Sequence, residues 1–298
     1  MDADTDQHWV ETLTHGARML CRLAGPSGID DAREAGELIE NAKTRLDKDN
    51  KELVASVNLG EGIWSSVMAL VEYDSRTRPA RLAHALAQFA ASIETFPTPS
   101  AYYHLAIALA RPGPQQDLDQ AVASASTAVE GASGDIRFWH LLGLLLTANG
   151  QWSKARGVFE IAAGIGESED DVTEERGGNG TNLQVQGFES KTGGTSGHEH
   201  NGLVVHPTQP VFILEFHSEV IPPSAALLQP VPDYPISSWQ DMFEYALQLR
   251  MSQLALTEHV EGAEGAALRW VEVFGWVADR KGVVSEQREF SSCRHATL

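Results

Sequence analysis

The chain has 298 residues, of which 41 are acidic and 22 are basic, giving a formal net charge of −19. A surface this acidic repels the phosphates of nucleic acids and of anionic lipids, so direct binding to either is not expected. Cys21 and Cys293 lie at opposite ends of the chain, so a disulfide framework is excluded. The acidic N-terminus lacks the basic and apolar regions of a signal peptide. No apolar run approaches the roughly 20 residues that are needed to cross a bilayer. We therefore expect a cytoplasmic protein, and leave open its recruitment to a membrane through a partner.

Two helices are predicted in the N-terminal region, residues 1–50. Trp9, Leu13, Ala17 and Leu20 recur at helical spacing, and residues 32–46 give a second helical stretch. We expect these helices to cover the first unit of an array that begins at residue 51.

A recurring two-helix pattern runs through residues 51–166. Its clearest instance has the small and large side chains of a tetratricopeptide-repeat hairpin: Trp139, Leu142, Gly143 and Leu146 in the first helix, then Ala155, Phe159 and Ala162 in the second. Gly143 and Ala155 allow the helices to approach closely, while Trp139 and Phe159 fill the seam to the neighbouring hairpin. Because a single hairpin cannot bury both of its faces, the pattern predicts a stacked array with a binding surface.

The pattern recurs twice upstream. One instance consists of Tyr102, Leu105, Ala106 and Leu109, followed by Ala121, Ala125 and Ala128. The second helices of these two hairpins are offset by about 34 residues, the standard period of this repeat. An earlier instance ends in Ala85, Phe89, Ser92 and Pro97. Its first helix either uses Leu59 and Gly60 as the Leu–Gly pair or lies in residues 63–71.

The helical pattern stops in residues 167–235, which we interpret as a flexible insertion rich in acidic, Gly and Pro residues. Within it, residues 211–216 (VFILEF) are apolar, and we expect them to pack as an extended segment against a hairpin. Ser168 precedes three acidic residues, a setting that acid-directed kinases favour, the alternative being an unmodified solvated serine.

One histidine cluster in this insertion resembles a set of metal ligands. His198, Glu199 and His200, with His206 nearby, lie in a Gly-rich stretch without the rigid frame that a zinc site needs. A solvated polar loop is the plainer interpretation. The chain also lacks a phosphate-binding loop and a nucleophile elbow. We therefore predict no metal, no cofactor and no catalytic residue.

A further hairpin is predicted in residues 236–282. Leu254 and Ala255, followed by Ala267, Val271 and Phe274, repeat the spacing of the clearest hairpin, and Gly262 falls in the turn. Residues 283–298 are predicted to be a polar tail without a capping helix. For all of these hairpins an ordinary helical bundle is the alternative, because apolar stripes at helical spacing are usually core.

A candidate partner groove follows from the repeat register. In such arrays the concave surface is lined by first-helix residues one position after the Trp and one after the Gly, which here are Tyr103, Ile107, His140 and Leu144. The groove is mainly apolar, unlike the Lys- and Asn-lined grooves that hold a carboxylate in chaperone-binding arrays. It therefore suits an apolar helix or another part of the same scaffold.

Three stretches carry a family resemblance: YYHLAIALARPGPQQDLDQAVASASTAVE, WHLLGLLLTANGQWSKARGVFE and FEYALQLRMSQLALTEHVEGAEGA. Over roughly residues 52–165 and 238–278 they resemble the middle of the tetratricopeptide repeat protein 7 family, whose fungal members are described as cargo-transport proteins. The phrase LRMSQLALTEHVEG is the more specific part. The resemblance implies a non-enzymatic scaffold that joins a phosphatidylinositol 4-kinase to a plasma-membrane anchor protein and is linked to endocytosis. Family members are longer, with further repeats on the C-terminal side.

We therefore predict an all-α tetratricopeptide-repeat solenoid of helical hairpins with a disordered insertion, acting as a scaffold for lipid-kinase recruitment. Two alternatives stay open. One is a general adaptor of the same repeat type in another cytosolic complex, and the other is a metal-dependent enzyme that uses the His198 cluster.

Overall fold

A computed structural model describes residues 3–24, 28–72, 74–174 and 239–295. Over these ranges the regular structure is entirely helical, which confirms the all-α prediction. The nine helices within these ranges are α1 (Ala3–Leu23), α2 (Ile29–Arg45), α3 (Lys51–Val71), α4 (Arg78–Thr95), α5 (Pro99–Ala110), α6 (Leu118–Gly131), α7 (Ile136–Ala148), α8 (Trp152–Glu174) and α9 (Trp239–His295).

Local sequence fixes where four of these helices begin. The side chains of Asn50, Thr98, Asp117 and Asp135 each accept a hydrogen bond from a backbone N–H in the first turn of α3, α5, α6 and α7. Such caps satisfy N–H groups that have no partner within the helix. The helices of the central array are therefore delimited by their own sequence before any tertiary packing is considered.

The helices pack in chain order as antiparallel neighbours. α1 packs with α2, α3 with α4, α5 with α6, and α7 with α8, and each pair then packs on the next through α4–α5, α6–α7 and α8–α9. α3 also contacts both α1 and α2. This arrangement is that of a stack of helical hairpins, as an α-solenoid requires.

The chain reverses direction within α9 at Gly262. The backbone there has φ 80° and ψ 177°, a left-handed φ that favours glycine. The rings of Phe243 and Trp276, on opposite sides of this break, stack with centroids 5.3 Å apart, and the guanidinium of Arg250 lies 4.6 Å from the Trp276 ring centroid. Residues so far apart in sequence can meet only if the two halves of α9 run antiparallel, so α9 is itself a hairpin.

Two predicted boundaries are wrong. α8 continues to Glu174, although we predicted the insertion to begin at residue 167, and α9 continues to His295, although we predicted a non-helical tail from residue 283. Both stretches hold Glu, Gln or Arg, which are good helix formers, and neither contains a proline that would end a helix. A polar composition predicts exposure to solvent, and exposure does not prevent a helix. The rest of the insertion, including the His198 cluster and residues 211–216, lies outside the described residues.

α3 is the one helix in the described part of the chain that is long and apolar enough to cross a bilayer by those two criteria alone. Most of it is buried against other helices of the protein. The length and composition of α3 fit a core helix as well as a membrane-spanning one, and its packing is that of a core helix.

Candidate partner-binding site

The α7–α8 hairpin is closed by a glycine facing a phenylalanine. Phe159 is buried, and a Cβ atom built on Gly143 would lie 2.2 Å from its Cε1. The α3–α4 hairpin repeats this arrangement, with a Cβ on Gly62 falling 2.5 Å from Cε1 of Phe89. Real Cβ atoms do not approach ring carbons so closely, so glycine is required at both positions. Close approach of the two helices is therefore built into each of these hairpins.

The α3–α4 pairing settles which glycine belongs to that seam. The prediction that offered Gly60 for this role is wrong, because a Cβ on Gly60 would face Ile39 and Thr14 of α2 and α1. Gly62, one half-turn further on, faces α4. In the α5–α6 hairpin the positions that correspond to the glycine and the phenylalanine hold two buried alanines, Ala106 and Ala125.

Trp139 is less buried than the repeat register led us to expect. Its side chain is part-buried, and the indole N–H donates a hydrogen bond of 2.7 Å to the carbonyl of Ser133. The neighbouring Phe138 is buried and lies with its ring 5.1 Å from that of Tyr103. Trp139 therefore ties the start of α7 to the preceding turn, and it is not a fully buried filler.

The four residues predicted to line an open groove are all buried. Tyr103, Ile107, His140 and Leu144 expose at most 5% of their surface. The prediction of an open groove at these positions is therefore wrong for this conformation. Other parts of the chain cover these positions, and the ring of His140 also lies 6.1 Å from that of Phe159 in its own hairpin.

α9 provides part of that cover. Nε2 of His140 lies 2.8 Å from Oγ of Ser252, a buried hydrogen bond from α7 to α9. Leu249 and Leu256 of α9 belong to the same apolar core as Leu144. Burial lowers the pKa of His140 to about 3, so this imidazole is neutral. At this end of the array the surface that we assigned to a partner is occupied by the last hairpin.

The last hairpin has a different register from the predicted one. Ala155, Phe159 and Ala162 are fully buried, whereas their supposed equivalents Val271 and Phe274 are 69% and 65% exposed. Ala266 and Val273 face inward in their place. This segment carries apolar residues on two faces, and spacing alone could not tell which of them packs. Leu268, Val271 and Phe274 form an exposed apolar stripe, which we call the α9 outer face.

A buried carboxylate joins three helices at the other end of the array. Oε1 of Glu61 on α3 lies 2.7 Å from Nζ of Lys43 on α2 and 3.0 Å from Nε2 of His84 on α4. Burial opposes the charge on Lys43, but its hydrogen bonds to Glu61 and Glu40 outweigh that effect and raise its pKa. The cluster pairs its charges internally, so it has a structural use and offers no free acid or base.

A small cavity of about 20 Å³ lies where α3, α4 and α5 meet. Its apolar wall includes Phe89 and Ile107, and its polar lining is Ser66, His104 and Arg111. Among the four predicted groove residues, Ile107 lines this cavity. The repeat pattern does not predict this set, because Ser66 lies on α3 while His104 and Arg111 lie on α5 and at its C-terminal end.

Comparison with known proteins adds no relative: no family profile, no curated protein and no solved structure matches the chain. In the ranges that the structure describes, no group of three His, Cys, Asp or Glu side chains is placed to hold a metal ion. The side chain of Ser168 and the His198 cluster fall outside what the structure describes.

Proposed function

We propose that this chain is a non-enzymatic scaffold of tetratricopeptide-type hairpins that assembles protein partners. The observation that supports this most directly is the repetition of one seam, Gly62 with Phe89 and Gly143 with Phe159, in hairpins that pack in chain order. Arrays of this kind gain stability from contacts between neighbours and leave long surfaces free for partners.

The α9 outer face supports a binding role. Leu268, Val271 and Phe274 are each at least 65% exposed and lie within two turns of one helix. An exposed apolar cluster costs solubility unless another surface covers it, and such clusters commonly mark protein–protein contacts. The net charge of −19 additionally favours partners that carry basic segments around an apolar contact.

The more specific proposal rests on the resemblance of residues 52–165 and 238–278 to the tetratricopeptide repeat protein 7 family. It names a phosphatidylinositol 4-kinase and a membrane-anchor protein as partners, a link to endocytosis, and a cytoplasmic location that becomes peripheral at the plasma membrane through those partners. This proposal requires no direct contact of the chain with lipid.

Affinity capture followed by mass spectrometry tests this function. The wild-type chain should capture a phosphatidylinositol 4-kinase, and the double variant Val271→Glu/Phe274→Glu should capture much less of it, because the charges block an apolar contact. Met19→Glu/Leu23→Glu is the matched control, since both residues are large, apolar and more than 60% exposed on α1.

The capture result also separates the alternatives. Recovery of another complex without the kinase would replace the lipid-kinase proposal by the general adaptor. Stoichiometric metal in the purified protein, lost when His198 and His200 are changed to Ala, would instead favour the metal-dependent enzyme.

A further inference from the structure

Three residues that line the cavity between α3, α4 and α5 each carry a buried polar atom. Oγ of Ser66, Nε2 of His104 and Nη1 of Arg111 are each shielded from solvent, and each has no hydrogen-bond partner in the described structure. Ser66 and His104 are each only 6% exposed. Buried polar atoms in folded proteins nearly always have a hydrogen-bond partner, so three such atoms on residues around one cavity suggest that the cavity holds a ligand.

Arg111 brings a positive charge to this cavity, and its side chain is part-buried. Arg111 forms no ion pair with any carboxylate of the described residues, and burial lowers the pKa of its guanidinium to about 10. Burial, reinforced by the charges of Arg18, Arg111 and Arg137, lowers the pKa of His104 to about 3. In a chain with a net charge of −19, this is a local site at which a negative group would be stabilised.

The three atoms can all act as donors. Arginine only donates, a serine hydroxyl donates through its one hydrogen, and neutral His104 donates from Nε2 in the tautomer that carries the proton there. An occupant that accepts hydrogen bonds and carries negative charge satisfies all three at once. A neutral carbonyl oxygen would accept these hydrogen bonds without offsetting the charge of Arg111, and an ammonium group would be repelled by that charge.

The size of the cavity narrows the choice of anion. About 20 Å³ accommodates one water-sized group, which matches a single carboxylate oxygen. The wall beyond the three donors is apolar, with Phe89 and Ile107, and offers nothing to the additional charged oxygens of a phosphate. The site therefore fits a carboxylate better than a phosphate.

We propose that the cavity lined by Ser66, His104 and Arg111 binds a carboxylate group, with one oxygen held by the three donors. The ligand is either a small free carboxylate or the acidic side chain of a bound protein. This inference depends on the cavity alone and holds whether or not the partner of the scaffold is a lipid kinase.

The first experiment uses the full chain and sodium formate, the smallest carboxylate, at ionic strength held constant with sodium chloride. Formate should shift the His104 ring-nitrogen NMR signals saturably and raise the Tm, by about 4 °C at ten times Kd. Sodium phosphate at the same ionic strength should do neither. A formate effect that never saturates, or one that phosphate reproduces, would overturn the proposal.

Variants separate the site from general effects of charge. Arg111→Met and Ser66→Ala should each weaken formate binding by at least tenfold, and Arg111→Lys should weaken it less than Arg111→Met because it keeps the charge. Arg33→Met is the matched control, since Arg33 on α2 is exposed and does not line the cavity, and it should bind formate as the wild type does. Equal loss of binding in Arg33→Met and Arg111→Met would refute a site at the cavity.

The source of the carboxylate is distinguished by a second probe, a blocked Gly-Glu-Gly tripeptide compared with its Gly-Gln-Gly counterpart. Tighter binding of the Glu peptide than of formate, lost in Arg111→Met, identifies a protein side chain as the ligand. Binding of formate alone identifies a small free carboxylate. Failure of both probes to bind the wild-type chain would remove the proposal and leave the scaffold function untouched.

Discussion

Gly143→Ala tests whether the glycine–phenylalanine seam holds the α7–α8 hairpin together. The new methyl group would lie 2.2 Å from Cε1 and 2.6 Å from Cδ1 of Phe159, both well inside the 3.4 Å at which ordinary van der Waals contact begins. Phe159 is 1% exposed, so the ring has no space into which it can turn. The two helices must therefore separate, or the ring must leave its preferred rotamer.

The expected effect is the difference between two opposing terms. Overpacking a well-filled core costs about 1–3 kcal/mol, and a clash with a ring that cannot move lies at the upper end. Replacing glycine by alanine inside a helix returns about 1 kcal/mol of helix propensity. We therefore expect Gly143→Ala to lower the free energy of unfolding by about 2 kcal/mol and the Tm by about 4–8 °C, measured by urea and thermal melts.

Gly157→Ala is the matched control in the same hairpin. Gly157 lies inside α8, and a Cβ there would meet nothing within 4 Å, so we expect a stabilisation of about 0.5–1 kcal/mol. The Gly143→Ala cost should also shrink in a Phe159→Leu background, since that change removes the ring edge that clashes. A Gly143→Ala protein as stable as the wild type would show that the seam is looser than described and would refute the reasoning.

Three further predictions concern charge and burial. The pKa of both His104 and His140 is lowered to about 3, so unfolded histidines protonate first as the pH falls below about 6.5. As the pH falls from 6 to 3, each of these two histidines should lower the free energy of unfolding by up to about 1.4 kcal/mol per pH unit. Urea melts of His140→Gln should therefore show a smaller loss of stability over this pH range than the wild type. Because Leu144 is fully buried, Leu144→Glu should unfold the chain or lower the free energy of unfolding by several kcal/mol, as followed by circular dichroism. A variant as stable as the wild type would instead show that Leu144 lies in an open groove. Glu261→Gln, which breaks the half-exposed ion pair with Arg156, should cost less than about 1 kcal/mol in the same melts, and a larger loss would mean that this contact anchors α9.

The hairpins were predictable because their determinants are local. Gly143 and Phe159 lie in consecutive helices, so the spacing of small and large residues already describes their contact. The caps at Asp117 and Asp135 likewise act within three residues of their own positions. Helix type and pairing order in the central array therefore follow from short-range sequence.

The burial of the predicted groove could not be foreseen from local sequence. His140 is covered through Ser252, which lies 112 residues further along the chain, and no repeat pattern states where the last hairpin docks. The α9 helix also has two apolar faces, and only the docked structure shows that Val273 packs while Val271 is exposed. The cavity lined by Ser66, His104 and Arg111 is likewise formed by residues that are distant in the sequence.

The burial of α3 has a consequence for the order in which the chain is synthesised. α3 is apolar and long enough to resemble a membrane-spanning segment while it is still unpaired. α1 and α2, which contact it in the folded protein, precede it in the chain and are available as soon as Val71 leaves the ribosome. α4 is complete at Thr95, about 1–5 s later at the usual rate of translation. The order of helices thus keeps short the interval during which α3 could be taken for a membrane segment or aggregate.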